Sequence, residues 1–187
     1  MPTQAYYTPL VSMYIYLFPT ELEAAAFRKA RPNAEAIISG VGMAATAATI
    51  ASIYKHRALT HNDCIILAGI AGTYSDAVPI GEVVEVVSEE CAELPQRFQR
   101  TYIQPTPLTL LRQVSSATVH SSHTKPSNAD IENMEGATLM AMAEVLGFRY
   151  AEIRAISNHV GDSFPDWQIE KALTSLTTEL IRIEDGE

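Results

Sequence analysis

Short runs rich in β-branched and aromatic residues alternate along this chain with longer helix-patterned stretches, and that alternation constrains the fold more than any other feature. Strands spaced in this way are joined by crossover helices around a parallel or mixed sheet. Val11 to Phe18, Ala36 to Ser39, Cys64 to Ala68 and Tyr150 to Ile156 read as strands. Gly81 to Val87 sets Glu82 and Glu85 among valines after a Pro79-Ile80-Gly81 turn, and reads as a strand exposed on one side. Met43 to Lys55, Glu135 to Leu146 with Gly147 as its cap, and Trp167 to Ile183 read as helices. Cys91 to Pro107 and His120 to Asp130 read as long loops, of the kind that serve as substrate lids or subunit contacts. With 187 residues and neither linker nor internal repeat, the expectation is one α/β domain: a central, mixed, twisted sheet flanked by helices.

Composition removes several function classes. A chain that is 47% hydrophobic and 19% charged buries a real core, so disorder is excluded. Its 13 Lys and Arg against 22 Asp and Glu give 13 − 22 = −9, with the basic residues scattered singly. Nucleic acid is therefore not an expected partner, because phosphate binding needs a basic patch. No stretch is long and apolar enough for a transmembrane helix, and polar, uncharged Pro2 to Pro9 is unlike a secretory leader. A cytoplasmic protein with no membrane contact is expected. Cys64 and Cys91 are too few for a zinc site and read as reduced thiols, Cys64 within an apolar run.

Several segments carry possible chemistry. Pro19-Thr20-Glu21-Leu22-Glu23 follows the first strand, where ligand crevices open in α/β sheets. Either a carboxylate there faces substrate, or Thr20 caps a helix with Glu21 and Glu23 in its first turn. Ser39-Gly40-Val41-Gly42-Met43 and Ala68-Gly69-Ile70-Ala71-Gly72-Thr73 are glycine turns after strands, and neither is a dinucleotide fingerprint. The sharper signal is Glu135 at a strand-to-helix junction, followed one helix later by Ser157-Asn158 at the end of a strand. Both would face one crevice. Arg154 reads as a structural ion pair, Trp167 as packing, and His120 and His123 as loop residues without helical periodicity.

Glu132-Asn133-Met134-Glu135-Gly136-Ala137, taken with Arg154-Ala155-Ile156-Ser157-Asn158, resembles the purine nucleosidase and phosphorylase superfamily, and within it the futalosine hydrolase branch. The order of motifs matches along nearly the whole chain. The resemblance implies a nucleoside phosphorylase-like fold, cleavage of an N-glycosidic bond through a cation-like sugar, and no cofactor or metal. It makes Glu23 the base that activates water, and Glu135 the group that holds the ribose hydroxyls and offsets developing positive charge. Asn158 would meet the leaving base. Gly42, Ala71, Gly72, Thr118, Val119, Asn133, Met134, Ser157 and Asp162 would bind substrate, with Met134 packed on the ribose. A homo-oligomer, dimer or larger, is implied, with Tyr102 or Phe98 as candidates to complete a neighbour's site.

Phosphorylases of the superfamily place an Arg and a Ser where this chain has Leu67 and Ile70. Aliphatic side chains leave phosphate without charge-assisted donors, which favours water as the nucleophile. The adenosine-type nucleosidases carry an acid where Asn158 stands, and an amide can instead donate to N7 and to the oxygen of a 6-oxopurine. Asp162 is the alternative acid. The implied reaction is futalosine to hypoxanthine and dehypoxanthine futalosine, in menaquinone biosynthesis. A methylthioadenosine or adenosylhomocysteine nucleosidase and a non-catalytic nucleoside-binding homologue are the alternatives. The chain departs from its relatives in length: the hairpin expected between Arg31 and Ser39 is nearly absent, and the segment before Glu132 is short. Base stacking has only Ala117-Thr118-Val119 to draw on, without an aromatic.

Overall fold

The computed structural model describes residues 13–57, 59–60, 62–121 and 128–186. Val11 and Ser12 of the first expected strand, the Pro2 to Pro9 segment and His123 lie outside the described residues. The elements run β1 (Met13–Phe18), α1 (Glu21–Ala30), β2 (Glu35–Ile38), α2 (Met43–His56), β3 (Asp63–Thr73), β4 (Val83–Cys91), β5 (Thr101–Ile103), β6 (Arg112–Thr118), β7 (Ile131–Asn133), α3 (Gly136–Leu146), β8 (Arg149–His159) and α4 (Ile169–Asp185). The α/β alternation read from the sequence is the observed one, and the sheet is mixed. β2, β1, β3 and β8 lie parallel in that order, and β4, β6 and β7 form a second parallel set. Antiparallel pairings of β8 with β4 and of β7 with β3 join the two sets, so that β3, β8, β4, β6 and β7 hydrogen-bond in a ring.

Helices cover the sheet on two sides. α1 and α4 pack through Phe27, Leu176 and Leu180 onto Ile66, Ala68, Ile153 and Ala155. The buried positions of α4, Ala172, Leu176, Leu180 and Ile183, recur at three and four residues and form one stripe. α2 and α3 pack through Ile50, Ile53, Leu139 and Ala143 onto Ile15, Leu17, Ile65 and Leu67. Each of these large side chains, fully buried, contributes about 1.5–3 kcal/mol. A third cluster, with Val84, Val86, Val114, Ile131 and Ile156, draws on strands of the ring. Among the described residues no helix is long and apolar enough to cross a membrane.

Two sequence expectations need correction here. The run Gly81 to Val87 is not a strand with an exposed face: β4 begins at Val83, continues to Cys91, and Glu85 is fully buried. The segment 104–109 folds over Glu85, whose carboxylate accepts hydrogen bonds from Leu108 N, Thr109 N, Thr109 Oγ1 and Gln104 Nε2 at 2.6–2.8 Å. Nor is Cys91 to Pro107 wholly a loop, because Thr101–Ile103 adds to β4 as an antiparallel strand. Both cysteines are free, and burial pushes the Cys64 thiol up to about 12.

Candidate active site

One cavity of about 380 Å³ opens where β1, β6, β7 and β8 end, against the second half of β3. That size suits a small organic ligand. Its floor brings together Glu23, Ala71, Gly72, Asn133, Met134, Glu135, Ser157 and Asn158, eight of the positions expected from the sequence, and Val119 lines it as well.

Glu23 reaches the cavity because the chain turns sharply after β1. Thr20 caps α1, accepting from Glu23 N at 3.3 Å, while its hydroxyl donates to Glu23 Oε2 at 2.6 Å. The capping reading and the functional reading thus both hold for this segment. Glu21 is different, since it points outward to Arg28. Ile70 N donates to Glu23 Oε1 at 3.0 Å, crossing from β3 to hold the carboxylate in place. Burial raises the Glu23 pKa, against the opposing effect of these two hydrogen bonds and of the Arg154 charge.

Glu135 sits at the cap position of α3, where a negative charge meets the positive end of the helix. Gly42 N donates to its Oε1 at 2.9 Å and Arg154 Nη2 to its Oε2 at 3.2 Å. Its backbone is fixed by Asn133, whose Oδ1 accepts from Glu135 N at 2.8 Å and Gly136 N at 2.7 Å. Arg154 stands between the two acids. A side chain at Gly69 would meet Arg154 Nη1 at 2.7 Å and Glu23 Oε1 at 2.9 Å, so only glycine lets β3 pass this close. Burial disfavours the charge on Arg154, but the carboxylates of Glu152 and Glu135 outweigh it and raise its pKa. Arg154 is thus the ion-paired residue that its strand position suggested, and it also lines the cavity.

A bulge delivers the third group. Ala71 pairs with Ile156 and Gly72 with Asn158, leaving Ser157 as the extra residue in β8. Such a bulge re-aims side chains next to a site. Asn158 Oδ1 accepts from Ser157 Oγ at 2.7 Å, and one Nδ2 hydrogen goes to His159 O at 2.9 Å. The amide therefore has one N–H left for a ligand acceptor.

Three expected positions stand behind the lining. Gly42 acts through its amide on Glu135. Thr118 is buried, donating to Glu89 Oε2 and accepting from Ala137 N, both at 2.8 Å. Asp162 accepts from His159 N at 2.8 Å and closes the turn after β8, outside the cavity. His120 lies at the surface beside Glu93. Of the two aliphatic positions, Ile70 lines the cavity while Leu67 is buried in the core under α2 and α3. Sequence reasoning missed the outer wall. Phe164 and Trp167, whose rings stack at 5.3 Å in a tilted arrangement, line it with Leu22, Val41 and Ile169. The signal was the pair of aromatics flanking Pro165 just before α4. Among the described residues no cluster of three or more His, Cys, Asp or Glu is arranged to hold a metal ion.

No family model matches the chain. It is 28% identical to the futalosine hydrolase of Thermus thermophilus over 222 aligned positions, which cover 93% of this chain and 97% of that protein. Its fold is similar to that of the futalosine hydrolase of Helicobacter pylori, with a TM-score of 0.79 at 14% identity over 95% of this chain and 99% of that one. It is equally similar to the 5'-methylthioadenosine/S-adenosyl homocysteine nucleosidase of Helicobacter pylori, with a TM-score of 0.79 at 15% identity over 96% of this chain and 100% of that one. The resemblance to futalosine hydrolase and the nucleosidases carried by the sequence motifs is thus found independently in whole-chain sequence and in fold.

Proposed function

We propose that the chain is an N-glycosidase that hydrolyses futalosine, releasing hypoxanthine. The observation that carries this reading is the free N–H of Asn158 in the same cavity as Glu23 and Glu135. A hydrogen-bond donor fixed in this orientation suits an acceptor on the base, N7 or the C6 oxygen of a 6-oxopurine, and an amide has no acidic proton to give to N7. With one N–H left, it serves one of the two acceptors.

The remaining groups divide the work of a hydrolysis. As the bond from the anomeric carbon to the purine nitrogen breaks, its electrons leave with the base and positive charge grows on the ribose. Glu135, backed by the Gly42 amide, holds the ribose hydroxyls and faces that charge. Glu23 takes a proton from water as its oxygen attacks the anomeric carbon, and burial makes this carboxylate a stronger base than an exposed one. The departing base takes up a proton from solvent and Glu23 returns the one it gained, so that one water is added across the broken bond. Water rather than phosphate is the nucleophile in this reading: the cavity's guanidinium is already shared between Glu135 and Glu152, and Ile70 supplies no donor from its side chain. The aromatic and aliphatic outer wall would take the substituent on the ribose, and the hydrolysis would form part of menaquinone biosynthesis in the cytoplasm.

Incubating the purified protein with futalosine, methylthioadenosine and inosine, each with and without phosphate, tests the reading by chromatography of the free base. Hypoxanthine from futalosine at a rate indifferent to phosphate is the expected result. Adenine from methylthioadenosine alone would replace this reading with that of a methylthioadenosine nucleosidase.

A further inference from the structure

Beneath the site lie two acids for which hydrolysis has no direct use. Glu89 of β4 and Glu152 of β8 are both fully buried, and their carboxylates converge under the first residue of α3. A Cβ on Gly136 would overlap Glu89 Oε1 and both oxygens of Glu152. Oxygens of both carboxylates thus surround one point, which brings the two groups face to face. Two ionised carboxylates repel and have no hydrogen to share, so such a pair must keep a proton.

The surrounding donors indicate where it sits. Glu152 Oε1 accepts from Arg154 Nε at 2.8 Å, which favours the anion there, while Glu152 Oε2 is buried with no donor among the described residues. Glu89 Oε2 accepts from Thr118 Oγ1 at 2.8 Å, and Glu89 Oε1 from Asn133 Nδ2. No cation bonds to Glu89 among these partners. A protonated Glu89 gives the orphan oxygen of Glu152 its donor and removes one of two charges from a space that excludes water. Burial and the Glu152 charge also raise the Glu89 pKa well above the ordinary value, against the hydrogen bonds from Thr118, Ser116 and Asn133. Burial raises Glu152 as well, where the Arg154 charge opposes it.

Both acids lead to Glu135. Glu152 holds the Arg154 guanidinium, whose Nη2 then bonds Glu135 Oε2 and, at 2.9 Å, Asn133 Oδ1. Glu89 holds the Asn133 amide, whose other end fixes the backbone of Glu135. We infer that Glu89 and Glu152 share a single proton, and that the resulting pair of one acid and one anion positions Arg154 and, through it, Glu135. Its catalytic consequence rests on the reading of Glu135 as the ribose-binding group. Glu152 as an anion keeps Arg154 from transferring its full charge to Glu135, which stays negative toward the sugar.

Infrared spectroscopy of the substrate-free protein tests the shared proton. The carbonyl stretch of a protonated carboxylic acid is expected at neutral pH, and is expected to vanish in Glu89→Gln; its absence from the wild type overturns the inference. A crystal structure of Glu152→Gln tests the positioning, with Arg154 expected to turn off its line to Asn133 and bond Glu135 through two nitrogens. An unmoved Arg154 would contradict it. Neither measurement uses a substrate, so a protein that hydrolyses no nucleoside refutes the proposed function while these two results still decide the pair. With turnover, Glu152→Gln should lower kcat roughly tenfold or more at little-changed KM. Glu89→Gln should rescue what Glu89→Ala loses, because a neutral amide can donate to Glu152 as the acid does. Equal losses in the Gln and Ala variants would mean that Glu89 acts as an anion, and the inference fails.

Discussion

Arg154 donates to Glu152 Oε1 at 2.8 Å through Nε and to Glu135 Oε2 at 3.2 Å through Nη2, joining a buried strand acid to the carboxylate at the start of α3. The Glu135 carboxylate is therefore held by a lattice of strand residues rather than by a mobile loop. Groups fixed before the reaction cost no reorganisation during it.

Replacing Glu135 with Gln keeps its shape and hydrogen-bonding capacity but removes the charge facing the ribose. The expected outcome is a fall in kcat of about a hundredfold or more with the fold retained, checked by steady-state kinetics and circular dichroism. Unaltered activity would contradict the assignment of the site.

For Glu23 the sign of the pH effect follows from its burial. Its pKa is raised, so the protonated, inactive form persists above the ordinary glutamate value of 4.5, and the acid limb of the rate profile should have its midpoint above that value. Glu23→Gln should abolish that limb along with about a hundredfold or more of the rate. A pH-rate series on the two proteins is the check.

Stability should respond to pH through Glu89. A folded-state pKa raised above 4.5 means that the native protein holds a proton the unfolded chain has lost, so this contribution is full below 4.5 and declines as pH rises toward the folded value. The slope from one proton is at most about 1.4 kcal/mol per pH unit. Denaturant melts above pH 4.5 should show a shallower decline in Glu89→Gln than in the wild type.

Gly136→Ala would drive a methyl group into the two buried carboxylates. A loss of about 1–3 kcal/mol in unfolding free energy is expected from such overpacking. A variant as stable as the wild type would show that the acids have room to part.

At the base, Asn158→Asp exchanges an amide donor for a carboxyl that can accept from an adenine amino group and, protonated, donate to N7. The ratio of adenine to hypoxanthine released from matched nucleosides should rise by about tenfold or more. One misplaced hydrogen-bonding group is enough for such a change, since a buried group left unpaired costs about 1–3 kcal/mol.

Much of this arrangement was legible in the sequence, because Glu23 and Glu135 each follow a strand and Asn158 lies at the end of one, and strand ends in an α/β fold converge on one crevice. Glu85 was misread since alternation along a valine-rich run normally means one wet face, and its cover comes from Gln104, Leu108 and Thr109, 19–24 residues further along the chain. β6 was not recognised as a strand because Arg112–Thr118 offers few apolar residues, its serines being consumed by contacts with Asn133 and Asp130. Glu89 and Glu152 gave no local signal, as each acquires its meaning from a strand distant in the chain. The glycine after Glu135 was the trace they left. A larger residue there has no space over the acid pair.

Hydrolysis of futalosine in oxygen-18 water, followed by mass spectrometry, distinguishes water from phosphate as the nucleophile. Hypoxanthine is expected together with a sugar product carrying one labelled oxygen at the anomeric carbon, in the same yield with or without phosphate. A sugar phosphate without label, or no base released from futalosine, would overturn the proposed function.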